Sequence, residues 1–252
     1  YLTQMSKNSI RIGVGFSQYI GARDNSMIEI NSNKISGRSI FVLDAKDATH
    51  LMFSDANGVI GLVSKNSSGI EIVELTAVDK TRSYSEVVLN NVDVDVLEQT
   101  TSSNNAINKA IDGGRIILAA DSIGASQRLI DKAVAYSKER KQFGRLIGSF
   151  QAVKHMCAEM AAELEPCYSL VWHAAYCFDN SPDEARLMAC HAKSHVSEIS
   201  KMIAKKATEV HGGMGFTDLM GLHYWFKRIG VNRHTLGAPE LVREEAANIQ
   251  NF

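Results

Sequence analysis

Proline is nearly missing from this chain: three in 252 residues, none before Pro166, so little in most of its length forces regular structure to stop. Cysteine is scarce too. Cys157, Cys167, Cys177 and Cys190 form no CxxC pair and lie in stretches with helical spacing, which argues for reduced, buried thiols, a cytoplasmic setting and no disulfide framework. Neither sign of charge is in excess, with 27 basic against 28 acidic groups, so no general attraction to nucleic acid or to a membrane surface is expected. No apolar run approaches the ~20 residues of a spanning helix. Residues 1–11 are mixed and polar, unlike a secretory leader. A GxSxG elbow, a P-loop, an HExxH pair and a GxGxxG turn after a strand are all lacking. His191 and His195 share a helix face but have no third ligand nearby in sequence, and no metal is expected.

What is present changes character near residue 100. Over residues 28–96 the apolar residues form short β-rich runs, among them Ile40-Phe41-Val42-Leu43, Leu51-Met52-Phe53 and Val87-Val88-Leu89. Turn chemistry separates them, and Ala56-Asn57-Gly58 predicts a hairpin because Asn-Gly tolerates positive φ. From Asn104 the spacing becomes three to four, as in Ile116, Ala119, Ala120, Ile123, Leu129 and Ala133. Further helices are predicted over 150–178, 182–210 and 219–229, and another from Pro239, with proline in the first turn of two of them. The fold class is therefore α+β: a small antiparallel β-sandwich or barrel over 1–100, then an up-down four-helix bundle over 104–252, joined through the Ser- and Asn-rich stretch 99–105. Trp172 and Trp225 read as core or interface anchors.

Three segments carry candidate chemistry. In Arg140-Lys141-Gln142-Phe143-Gly144, followed by Gln151, a helix ends in a basic cluster beside an aromatic ring. That pairing can hold a phosphate and a flat ring together, although local chemistry equally allows a cationic helix cap with Phe143 in the core. His211-Gly212-Gly213-Met214-Gly215-Phe216 offers close backbone approach, or simply a helix end with a tight turn. In Asp112-Gly113-Gly114-Arg115, adjacent glycines within a helix would cost about 1 kcal/mol each relative to alanine. Either a helix starts there with Asp112 as its cap, the simpler reading, or a neighbour needs the missing volume.

Taken together and in this order, these segments resemble the acyl-CoA dehydrogenase family of flavoproteins. The likeness runs from Arg115-Ile-Ile-Leu-Ala-Ala-Asp-Ser-Ile-Gly124 through Tyr136-Ser-Lys-Glu-Arg140-Lys-Gln-Phe143-Gly and Phe150-Gln151-Ala152-Val153-Lys154 to Val210-His211-Gly212-Gly213-Met214-Gly215-Phe216. Earlier, Ile35 to Asp44 and Asp79-Lys80-Thr81-Arg82 are similar to parts of the family's β-domain. The resemblance implies the family's central β-domain and C-terminal bundle, without its N-terminal helical domain. It implies FAD as cofactor, an acyl-CoA thioester as substrate for α,β-desaturation, an electron-transfer flavoprotein as electron acceptor, and a homo-oligomer or a homologous partner subunit. By position, Arg140, Phe143 and Gln151 correspond to residues that hold a neighbouring subunit's FAD, with the Gly212-Gly213 backbone approaching it. Arg115 matches an arginine near the CoA chain, and Phe41 to Leu43 would lie along the flavin.

The departures matter as much. The family's catalytic Glu position holds Leu236, and the alternative position used by a few members holds Gly114; neither can take a proton. Leu43 and Ala238 replace expected threonines, Glu209 replaces the glutamine before the diglycine, and no Thr-Glu-Pro counterpart stands around Phe16-Ser17-Gln18. Three readings follow: a subunit of a heteromeric dehydrogenase whose partner supplies the base, an enzyme with a relocated base at Asp112, Glu240 or His234, or a non-catalytic assembly subunit. A flavin monooxygenase of the same fold is a related alternative, since it needs no such Glu.

Overall fold

The computed structural model describes residues 1–16, 27–97 and 103–252, with side chains from 106 onward in the last stretch. Ser17-Gln18 and residues 99–102 of the join lie outside the described residues. The chain divides into two compact units, Tyr1–Ala110 and Ile111–Phe252. The expected order of a β-sheet unit followed by a helical one is the order observed.

The first unit opens with a short helix, α1 (Leu2–Ser6), and then eight strands: β1 (Ile12–Gly15), β2 (Ile28–Asn31), β3 (Lys34–Leu43), β4 (His50–Ser54), β5 (Ile60–Ser64), β6 (Ile70–Leu75), β7 (Tyr84–Asp93) and β8 (Asp95–Val96). They form one sheet in the order β6-β7-β3-β1-β4-β5-β8, with β2 also paired to β3. The sheet is not wholly antiparallel. β1 runs antiparallel to β3 but parallel to β4, with Gly13 opposite Leu51. Sequence patterning misses β1 because two of its four residues are glycine, which hides the alternation.

Asn57-Gly58 does lie in the β4–β5 connection. Asp55 closes that turn, its Oδ1 accepting hydrogen bonds from the backbone N–H groups of Asn57 and Val59 at 2.8 Å each. Ile35, Val42, Leu51, Phe53, Val63, Val87 and Leu89 point to one buried cluster. An irregularity in the β3–β7 pairing between Ser39 and Val42 coincides with a positive φ of 57° at Phe41, whose ring is left half-exposed.

The second unit is built on α2 (Ser103–Glu139), which crosses the division, followed by a small hairpin of β9 (Lys141–Gln142) and β10 (Arg145–Leu146). Then come α3 (Gln151–Asn180), α4 (Pro182–His211), α5 (Leu222–His234) and α6 (Pro239–Ile249). Leu129 and Ala133 of α2, Met160 and Leu164 of α3, Val196 and Ile203 of α4, and Ile229 of α5 share one core. Asp183 and Glu184 in the first turn of α4 complement its dipole after Pro182. α5 begins later than the predicted 219, because Asp218–Met220 forms a separate 3-10 turn and Gly221 turns the chain at φ 64°. Trp225 packs against the bundle core, whereas Trp172 is 77% exposed and anchors nothing within this chain's core. Among the cysteines, Cys167, Cys177 and Cys190 are buried and Cys157 half-buried, all free.

Asp112-Gly113-Gly114 does not start a helix; it lies inside α2. The reason is volume. A Cβ on Gly113 would meet the Phe178 ring at 3.2 Å, and one on Gly114 would meet Leu236 Cδ1 at 2.5 Å. The helical cost of two glycines is accepted so that α2 can pass close to its neighbours.

Ile203 is fully buried at the centre of the bundle core. Ile203→Ala is expected to lower the unfolding free energy of the chain by about 2–5 kcal/mol, read as a reduced urea midpoint at unchanged slope.

Candidate functional site

The hinge between α2 and α3 is built to display one aromatic ring. β9 and β10 pair antiparallel, Lys141 with Leu146 and Gln142 with Arg145. The two residues between them both have positive φ, 51° at Phe143 and 75° at Gly144. That is the geometry of a two-residue hairpin turn, and it suits glycine but costs a phenylalanine roughly 1 kcal/mol or more. Phe143 is nonetheless held there 91% exposed, so the core position that local chemistry allowed is not the one adopted. Its ring meets Phe150 edge-on at 6.2 Å, and the Arg145 guanidinium lies over the Phe150 ring at 3.9 Å from its centroid. The Arg140 carbonyl accepts from the Ile147 N–H at 2.8 Å, fixing the exit from α2.

Across from the hairpin lies the end of α4. Gly212 has φ 59° and ψ −141°, a combination that residues with a Cβ rarely adopt. His211, only 3% exposed, stacks on Tyr136 with centroids 4.5 Å apart and is hydrogen-bonded through Nδ1 to the Ala207 carbonyl at 2.7 Å. A carbonyl accepts only, so Nδ1 carries a proton, and in the neutral ring Nε2 is the acceptor. Nε2 has no partner among the described residues. Burial, with Lys132 adding to it, holds the imidazole pKa below its ordinary value despite the Ala207 hydrogen bond, which favours the neutral form.

These pieces line one open cavity of about 550 Å³. Of the sequence-derived candidates, Arg140, Phe143, Gly212 and Gly213 meet there. Gln151, exposed at the start of α3, is not among its lining residues. Tyr136 joins this wall through its stacking on His211, a contact between residues far apart in the chain that no local pattern marks. Glu209, exposed, adds a carboxylate to the same wall. A guanidinium, an exposed ring, uncovered glycine backbone and an unmet acceptor suit a ligand that combines an anion with a flat, donor-bearing ring.

Arg115 stands elsewhere. Its side chain is buried, with Nε donating to the Leu236 carbonyl at 3.0 Å, one terminal nitrogen 3.2 Å from Cys190 Sγ and the other 2.8 Å from Glu245. Asp112 is paired at 3.8 Å with Arg115 and at 3.6 Å with Arg186, which also pairs with Glu245. Of the relocated-base candidates, Asp112 is thus buried in an ion network and Glu240 is tied to Arg233 at 2.8 Å. Leu236, at φ 57°, lays its side chain over Gly114, so the two positions where the family resemblance places a base face each other.

A family model for the acyl-CoA dehydrogenase C-terminal domain matches residues 104–249. The chain belongs to the acyl-CoA dehydrogenase family. It is 37% identical over 180 residues to the caffeyl-CoA reductase–Etf complex subunit CarC of Acetobacterium woodii, covering 71% of this chain and 43% of that one. Over 109 residues it is 38% identical to the short-chain specific acyl-CoA dehydrogenase of Clostridium acetobutylicum, covering 43% of this chain and 28% of that one. The chain thus spans less than half the length of these curated relatives. The solved structure of an acyl-CoA dehydrogenase from Geobacillus kaustophilus matches it in fold with a TM-score of 0.90 at 16% identity, over 100% of this chain and 72% of that one. The family is one of flavoprotein oxidoreductases whose members typically bind FAD. No helix among the described residues is long and apolar enough to cross a membrane.

Lys193 generates a pH prediction. It is buried on α4, its Nζ donating to the Asn232 carbonyl and, at 3.1 Å, to that of Arg233. Burial first, then Arg115 and Arg233, bring its pKa down from 10.5 to about 7. Above pH 7 the unfolded chain holds this proton while the folded one has released it, so stability should rise with pH from 7 upward. Below pH 7 both forms are protonated and the penalty is constant. Burial pushes the Cys167 and Cys190 thiols up from 9 to about 11, which works in the opposite direction above pH 9. Thermal unfolding of the parent and of Lys193→Met between pH 7 and 9 should show a rising melting temperature only in the parent.

Proposed function

We propose that this chain is an FAD-dependent acyl-CoA dehydrogenase subunit acting in the cytoplasm, in which the α2–α3 hairpin and the end of α4 grip the dinucleotide part of a neighbouring subunit's FAD. The observation that carries this reading is Phe143, held at positive φ and almost fully exposed beside Arg140, opposite the Gly212-Gly213 backbone in one cavity. Arg140 would pair with the pyrophosphate, Phe143 would cover the adenine, and the bare glycine backbone would let the chain of phosphates come close. FAD, when bound, supplies the hydride acceptor for α,β-desaturation of an acyl-CoA thioester.

The base is a separate matter. Leu236 covers Gly114, and neither holds a proton acceptor. The α-proton would then be taken by a carboxylate of a homologous partner subunit, which favours a heteromeric assembly. That its relative in Acetobacterium woodii is a subunit of a reductase–Etf complex supports an electron-transfer flavoprotein as the partner that receives the electrons. The apolar contact at the two base positions also supports a second reading, a subunit that completes the FAD site of its partner without turning over substrate itself.

The test is flavin per chain and acyl-CoA-dependent flavin reduction, measured on the chain alone and co-purified with its partner. Full flavin and turnover by the chain alone would refute the partner-supplied base. In the assembly, Arg140→Ala and Phe143→Ala should each strip most of the flavin at unchanged helix content; retention of flavin in both would refute the cleft. Glu209→Gln removes a like charge facing the pyrophosphate and should tighten flavin binding a few-fold, in keeping with up to ~1 kcal/mol for one exposed charge.

A further inference from the structure

The turn between α3 and α4 gathers three side chains that the sequence keeps apart by type. His173 and Cys177 are one helical turn apart on α3, so they share a face. Glu184 comes from the first turn of α4, after Pro182 has reversed the chain. His173 Nε2 lies 3.7 Å from Cys177 Sγ, and Glu184 Oε2 lies 3.8 Å from the same sulfur. All three donor atoms fall within 4.8 Å of one another. Among the described residues no cation is paired with Glu184.

A thiol has one proton and cannot donate to the imidazole and the carboxylate together, and the two spacings are at the long end for hydrogen bonds to sulfur. They are close, however, to the spacing of ligands around a metal. Bond lengths of about 2.3 Å to sulfur and about 2.0–2.2 Å to nitrogen or oxygen, at tetrahedral angles, put neighbouring donors roughly 3.4–3.6 Å apart. The burial pattern fits as well: Cys177 is 1% exposed and forms the floor, while His173 and Glu184 are exposed at the rim, leaving the outward side to water.

We propose that His173, Cys177 and Glu184 form a binding site for a zinc-class divalent cation, with solvent as the fourth ligand. A mixed sulfur, nitrogen and oxygen set selects a borderline-soft metal over calcium or magnesium, which prefer oxygen alone. On binding, the Cys177 S–H bond breaks, its proton passes to solvent, and the thiolate electron pair forms the bond to the metal with no change of oxidation state. The bound cation braces the α3–α4 turn. The site lies on residues separate from the flavin cleft and stands whether or not that cleft binds FAD.

Titrating the chelator-treated chain with Co²⁺ tests this. The expected result is a thiolate-to-cobalt charge-transfer band in the near ultraviolet with visible bands of a four-coordinate ion, saturating at one metal per chain and abolished by Zn²⁺. The band should be lost in Cys177→Ser and retained in Cys157→Ser. His173→Ala and Glu184→Gln, both at exposed positions that leave folding intact, should each weaken Zn²⁺ binding by roughly tenfold or more, as loss of a ligand requires. Absence of the band in the parent, its survival in Cys177→Ser, or unaltered Zn²⁺ affinity in His173→Ala would each overturn the proposal.

Discussion

One guanidinium fixes the geometry of the helical unit. Arg115, in the middle of α2, reaches the Leu236 carbonyl before α6, Glu245 on α6 and Cys190 on α4. A buried cation is tolerable only when its donors are met, and removing any partner would leave charge in a medium that penalises it by several kcal/mol. Burial works against the Glu245 carboxylate, yet the Arg115 hydrogen bond prevails and keeps its pKa below the ordinary value. Arg115 can take this position only because α2 continues through Gly113 and Gly114 without a break. Had Asp112 capped a new helix, the chain from Arg115 to the hairpin would leave α2 along another axis.

That dependence explains which features were legible in the sequence. The long helices were, because α3 and α4 bury one face through many turns and leave the periodicity intact, and their ends carry Pro182 and Gly212 as local signals. The short β-runs were legible for the same reason, since inward residues such as Leu51 and Phe53 alternate. The diglycine in α2 was not. Its cause is the Phe178 ring and the Leu236 side chain, and local spacing carries no trace of either. Strand β1 was lost for lack of side chains, and its parallel pairing with β4 depends on what lies next to it, which no pattern within four residues encodes.

The candidate cleft was half legible. A basic cluster, an aromatic and a glycine mark the hinge in sequence, but they do not say whether Phe143 goes in or out. The structure shows it: with Phe143 and Gly144 both at positive φ, the ring at the hairpin tip stands 91% exposed and meets Phe150 only edge-on. The opposite wall was less legible still. His211 is buried and stacks on Tyr136 from another helix, with Nε2 unmet among the described residues, and that pairing is a product of the bundle.

The same logic bears on Gly114 and Leu236, the two positions where the family resemblance places a base. Leu236 and Gly114 are complementary as a pair: the leucine occupies the space that any side chain on the glycine would need, at 2.5 Å from its Cβ. Leu236 holds a positive φ while its carbonyl accepts from Arg115, so the guanidinium anchors the loop's backbone at this point. Under the proposed reading, the backbone at both positions stays as it is and the proton chemistry belongs to a partner subunit.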